Sequence, residues 1–215
     1  MSDKVLFCTS HSIGTKHEEL ASITVPVMKR YCERHGYGLA VAKCDYTPES
    51  HVAGLQFILD QFADHQIIVS LGADVLIMNH SLPVENIAPT HHPLTLANEQ
   101  LNWWPINNDV CIWRQGVGAD LLLKRLIDDA EIWLKYPWFW QNHLWNLMRT
   151  QPHIARSVKI VPSRVMNATH QPGLSRWQLG DWLIHFLDMK NEDKITLARA
   201  YLPLIGNGDA TFYPV

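Results

Sequence analysis

A lone carboxylate closes one of the most apolar stretches of this 215-residue chain, Ile67-Ile68-Val69-Ser70-Leu71-Gly72-Ala73-Asp74. The first half has the composition of a strand buried on both faces, and Asp74 stands where such a strand leaves its sheet. An acid there either caps a turn or meets a ligand at the strand end. Thr9-Ser10-His11-Ser12-Ile13-Gly14 follows the apolar run Val5-Leu6-Phe7-Cys8 and reads as a polar loop leaving another strand. Hydroxyls in such a loop suit phosphate oxygens, although the usual glycine fingerprints for phosphate binding are absent. A third candidate is His185, in Gly180-Asp181-Trp182-Leu183-Ile184-His185-Phe186. A lone histidine is more often a packing residue than a ligand. As a strand this segment separates Asp181 from His185, and as a helix it brings them together; periodicity alone leaves both open.

The elements that must position these residues alternate in type. Helical periodicity runs over 18–34, interrupted by Pro26 and stopped by Gly36-Tyr37-Gly38, with a strand at Leu39-Ala40-Val41-Ala42. Further helices are expected over 54–62, over 118–134 and from Trp138 onward; strands are expected at 94–97, 110–113 and 158–161. The stretch 82–93 holds three prolines and reads as irregular. Alternation of this kind implies an α/β domain. Eighteen Lys+Arg against 21 Asp+Glu provide no basic footprint, so a nucleic-acid partner is not predicted. Cys8, Cys32, Cys44 and Cys111 lack paired spacing and read as free thiols. Lys159 and Arg164 read as solvated surface charges. No run of apolar residues is long enough for a membrane span, which makes a cytoplasmic location the expectation. All nine tryptophans lie between Trp103 and Trp182.

Several blocks, in order, resemble the nucleotide-sugar glycosyltransferases of GT-A fold, in particular the galactosyl/mannosyl/xylosyl-transferase family of yeast alpha-mannan and plant xyloglucan enzymes. They are Tyr31 followed by His35-Gly36-Tyr37, then Val75-Leu76-Ile77-Met78-Asn79, Asn107-Asn108-Asp109-Val110-Cys111-Ile112 and Gly180-Asp181-Trp182-Leu183-Ile184-His185-Phe186. The resemblance implies one GT-A-like domain over 1–215, with a mixed central sheet flanked by helices. Donor-binding signals lie mainly in 1–80 and acceptor-side signals in 100–190. It also implies metal-dependent transfer of a hexose or pentose, with retention, from a nucleotide sugar, expected to be UDP-linked, to a carbohydrate or other hydroxyl acceptor. The family's Asp-x-Asp is here Gly72-Ala73-Asp74, which keeps only the second acid. Asp74 and His185 become the expected ligands of Mn²⁺ or Mg²⁺, a cation that offsets the charge of a departing diphosphate. Thr9, Ser10, Ser12, Asn107 and Asn108 are expected on the donor, and Asp109 and Gln141 as catalytic residues. Trp103 and Trp104 are expected on the acceptor. Asn107-Asn108-Asp109 reads as a turn before a strand, and Trp140 replaces the acid that precedes the family's glutamine. The alternative is a weakly catalytic or non-catalytic nucleotide-sugar or glycan-binding protein.

Overall fold

The computed structural model describes residues 4–45, 47–88, 91–99, 105–173 and 175–206. The chain opens with β1 (Val5–Ser12), α1 (Lys16–His35), β2 (Gly38–Cys44), α2 (Pro48–Gln61) and β3 (Ile67–Gly72). A two-residue turn leads to β4 (Val75–Ile77), followed by α3 (Val84–Ile87), β5 (Leu94–Ala97) and β6 (Asn107–Arg114). The helices α4 (Val117–Asp128), α5 (Ala130–Trp133), α6 (Phe139–Thr150) and α7 (Pro152–Ser157) come next. After β7 (Val158–Val161) and α8 (Ser163–Met166), β8 (Leu183–His185) and α9 (Asn191–Tyr201) complete the domain, with a 3₁₀ turn at Leu202–Leu204. The main sheet has the order β2-β1-β3-β6-β5-β7, and β4 pairs with β8 in a small second sheet. Pairing is parallel from β2 through β3, antiparallel around β6 and parallel again between β5 and β7. This is a single α/β domain with a mixed central sheet flanked by helices.

Alternation along the central strands builds two cores. Val5 and Phe7, Val69 and Leu71, and Val110 and Ile112 face one side, where α1, α9 and the β4/β8 sheet cover them. Leu6 and Cys8, Ile68, and Cys111 and Trp113 face the other, against α2 and α4 to α7. Helix α1 starts at Thr15, whose hydroxyl accepts from the His17 N–H at 3.2 Å, with Glu18 and Glu19 in the first turn to complement the helix dipole. Pro26 lies on the exposed face, where the Ser22 carbonyl deprived of its intrahelical donor can be served by water. The motif Tyr31, His35, Tyr37 is packing: Tyr37 stacks on Phe7 and on His35, while Tyr31 meets Phe7, His80 and Trp182.

Several expectations need correction. Thr9 to Ser12 is not a loop but the polar end of β1, paired with β2 as far as Ser12↔Cys44. Asn107-Asn108-Asp109 opens β6 instead of preceding it. The helix expected over 118–134 breaks at Asp129, α2 begins earlier, at Pro48, and 82–93 contains the one-turn helix α3. Arg164 is no solvated charge: its guanidinium grips Asp181 at 2.8 and 3.2 Å. The open choice at 180–186 resolves as a strand, whose neighbours Trp182 and Phe186 are both buried. All four cysteines are free, and burial pushes the Cys8 thiol up to about 12, which makes it an inert packing group.

Gly36 ends α1 at φ 69°, its N–H bonded to the Cys32 carbonyl. A Cβ there would meet nothing within 4 Å, so only backbone strain opposes a side chain. Gly36→Ala is expected to lower stability by about 1 kcal/mol, measured as a drop in the urea midpoint at unchanged m-value.

Candidate functional site

The ends of three central strands meet at one edge of the sheet. Parallel β1 and β3 finish there, with Ser10 opposite Gly72, and antiparallel β6 begins there, with Val110 opposite Leu71. The turn Ala73-Asp74 is pinned from two sides: Thr24 Oγ1 donates to the Ala73 carbonyl at 2.8 Å, and the Phe186 N–H donates to the Asp74 carbonyl at 3.1 Å. Because β4 pairs with β8 in the register Val75↔His185, the imidazole arrives beside the Asp74 carboxylate.

His185 Nε2 lies 3.5 Å from Asp74 Oδ1 and 3.5 Å from Asp109 Oδ2. The opposite ring nitrogen, Nδ1, is 2.7 Å from Asn167 Oδ1. With Nδ1–H donating to that amide oxygen, Nε2 turns toward two acids, a contact that fixes the ring's orientation. The residue is only 1% exposed, and Nε2 has no hydrogen-bond partner among the described residues. The other oxygen of Asp74 accepts from Lys194 Nζ at 2.6 Å. Burial by itself would lift the Asp74 carboxyl, yet His185 and Lys194 hold it far below the ordinary carboxylate range. Burial likewise lowers His185, but the two carboxylates outweigh it and hold the imidazole above its ordinary value. The Asp109 carboxyl is raised, first by burial and then by Asp74, against the pull of His185.

Asp74 and Asp109 also form part of the wall of a cavity of about 750 Å³. Thr9, Ser10 and Ser12 line it from β1 and Asn108 from β6, with Trp140 completing the wall near α6. Across from the acids, Val41 of β2 and His51 and Phe57 of α2 give an apolar side. Gln141 lies behind this surface, 2% exposed, its Oε1 accepting from the Asn108 N–H at 3.0 Å. Its Nε2 is buried with no hydrogen-bond partner among the described residues. Asn107 is turned away from the cavity: its Nδ2 donates to Glu99 and its Oδ1 accepts from the Asp109 N–H. The structure therefore gathers Asp74, Asp109, His185, Thr9, Ser10, Ser12 and Asn108 around one site, with Gln141 and Asn107 as supports. Trp103 and Trp104 lie outside the described residues. Of the described tryptophans, Trp113, Trp133 and Trp182 are fully buried.

Carboxylate oxygens and an imidazole nitrogen are suitable donors for Mn²⁺ or Mg²⁺. The orphaned Nε2 facing two acids fits such a cation. Among the described residues, however, no three His, Cys, Asp or Glu side chains form a ready-made metal cage. Lys194 and Asn167 escaped the sequence reading. Lys194 sits in an ordinary charged first turn and Asn167 in an irregular segment, so neither carries a local signal.

Comparison with solved structures places the architecture. The chain is similar to a glycosyltransferase involved in the glycosylation of the major capsid of PBCV-1, at a TM-score of 0.74 and 15% identity, covering 91% of this chain and 98% of that one. The fold is GT-A-like. The galactosyltransferase LgtC, solved with donor and acceptor sugar analogs, matches at a TM-score of 0.54 and 12% identity, covering 97% of each chain. The glycosyltransferase GlyE of Streptococcus pneumoniae TIGR4 matches at 0.56 and 11% identity, covering 99% of this chain and 66% of that one. At such identities the likeness is one of fold, and it singles out no family. No protein-family model and no curated protein matches by sequence. No helix among the described residues is long and apolar enough to cross a membrane.

Replacing Asn167 by Leu would leave the buried His185 N–H without its acceptor. Asn167→Leu is expected to cost about 1–3 kcal/mol of stability, read by chemical denaturation, and to broaden the His185 ring resonances in NMR spectra as the imidazole loses its fixed orientation.

Proposed function

We propose that this protein transfers a hexose or pentose from a nucleotide sugar, UDP-linked, to a hydroxyl acceptor, with retention of anomeric configuration. The observation that carries the reading is the placement of Asp74 and Asp109, backed by His185, on the wall of a large cavity at the strand ends of a GT-A-like domain. The apolar side formed by Val41, Phe57 and His51 suits a nucleobase, and the hydroxyls of Ser10 and Ser12 lie between it and the acids, where ribose and phosphate oxygens would pass. This assigns the donor to elements drawn chiefly from 1–80, and the acceptor to the side formed from 100–190, with Trp103 and Trp104 as its proposed aromatic contacts.

Asp74, Asp109 and His185 would hold Mn²⁺ or Mg²⁺. Such an ion supplies positive charge against the leaving diphosphate. The chain's own residues do the rest. Asn167 keeps the His185 ring aimed at the acids. Asp109, with 45% of its side chain exposed, can also accept from a sugar hydroxyl and fix the ring of the donor. Gln141 acts as a positioning residue, holding the Asn108 backbone beside Trp140 at the cavity wall. In the proposed step the acceptor hydroxyl attacks from the face that the nucleotide leaves. The carbon–phosphate oxygen bond breaks as the new glycosidic bond forms, and the departing phosphate takes the hydroxyl proton.

The decisive measurement is a thermal-shift series with nucleotide sugars in Mn²⁺, followed by assay of transfer. The matching donor at about a hundred times its Kd is expected to raise Tm by roughly 5–10 °C, whereas an adenine dinucleotide leaves it unmoved. Asp74→Asn and Asp109→Asn are each expected to lower kcat/KM by roughly 10²–10³. An anomerically inverted product would overturn the mechanism, and donor binding without turnover across metals and acceptors would favour a binding protein.

A further inference from the structure

Lys194 occupies a place that neither the motifs nor the fold comparison assigns. It lies in the first turn of α9, where Ile195 and Ala198 pack into the core shared with α1 and so fix the helix. From there its side chain runs inward, only 11% exposed, and delivers the ammonium to Asp74 Oδ2 at 2.6 Å. The opposite oxygen of the same carboxylate faces His185. Asp74 is thus divided between an internal cation and the cluster that borders the cavity.

Gly72 explains how the carboxylate reaches this position. A Cβ at residue 72 would lie 2.7 Å from Asp74 Oδ1 and 3.6 Å from the Asp109 Cβ, so the Asp74 head group occupies space that a side chain at 72 would take. The glycine and the lysine are two halves of one arrangement. The small residue lets Asp74 fold over the strand end, and Lys194 places a positive charge on its far side.

We propose that Lys194 is an internal counter-ion that competes with a divalent cation for Asp74, so that metal affinity at the Asp74, Asp109 and His185 cluster is set by this ammonium. The proposal rests on the donor-site reading above and goes further in naming what controls the site. A divalent ion bound beside Asp74 brings two positive charges close to a third in a poorly solvated setting, where like charges repel strongly. The long flexible lysine stem allows the ammonium to withdraw while α9 stays in place. A lysine with a purely structural duty predicts the opposite sign, because losing it would loosen Asp74 and weaken the metal.

The test is Mn²⁺ binding without nucleotide, followed by electron paramagnetic resonance, in the native protein and in Lys194→Gln, Lys194→Met and Lys194→Arg. Removing the charge is expected to tighten Mn²⁺ binding by about tenfold or more and to enlarge the Tm gain on adding Mn²⁺, while Lys194→Arg stays near the native value. Equal or weaker binding in the neutral variants overturns the proposal and leaves the donor-site reading standing. Absence of Mn²⁺ binding from every form overturns both the proposal and the metal part of that reading. A second measurement needs only folded native protein. The Lys194 ammonium resonance, assigned by its loss in Lys194→Arg, is expected to shift when Mg²⁺ is added, and a resonance that does not respond overturns the competition.

Discussion

A carboxylate removed from water is tolerated only when charge and hydrogen bonds replace its hydration, and much of this domain is organised to do that for Asp74. The β3–β4 turn presents it, β8 brings the His185 imidazole to one oxygen, and α9 brings the Lys194 ammonium to the other. The backbone joins in, since the Phe186 N–H holds the Asp74 carbonyl while Thr24 of α1 holds the one before it. Two late segments, β8 and α9, are thereby tied to the Asp74 side chain, and α1 to the backbone of its turn. The small β4/β8 sheet gains its purpose from this. Its strands have three residues each, and their register decides which ring meets which acid.

The two cores divide the work. On the α1/α9 side, large rings such as Tyr31, Trp182 and Phe186 immobilise the segments that carry the charged cluster. On the other side, short helices close over Trp113 and Trp133 and support the cavity through Trp140 and Gln141. The crowding of tryptophan into one part of the sequence therefore has a structural component beyond any sugar contact. Helices of four to twelve residues cover a broad sheet face more readily when a few very large side chains fill the gaps between them.

The legible parts of the sequence were those governed by burial. The apolar runs at Val5, Ile67, Leu94, Val110 and Val158 all form strands, because a strand covered on both faces leaves few alternatives. Asp74 was visible as an acid at a strand end, and its association with His185 came from the order of motifs. Legibility failed where polar residues serve an interior cavity. Thr9 to Ser12 have the composition of a loop but stay in the sheet, paired with β2 along their length while Ser10 remains exposed at the cavity. Asp109 drew attention as a sugar ligand, whereas its nearness to His185 depends on antiparallel pairing of β6 with β3, which no local pattern encodes. Lys194 was illegible for the same reason: Asn191-Glu192-Asp193-Lys194 looks like a solvated helix start, and only packing of α9 on α1 turns the lysine inward.

The distance along the chain between Asp74 and Lys194, 120 residues, has a consequence for biosynthesis. The central parallel strands leave the ribosome early and can begin to assemble, but the acid at their edge then lacks its ammonium, its imidazole and the strand that presents it. Charge balance arrives with the last helix described. Until α9 docks, the Asp74 carboxylate has no ammonium to balance it. Helix α9 thus acts as a clasp, closing the charge balance of a turn laid down 120 residues earlier.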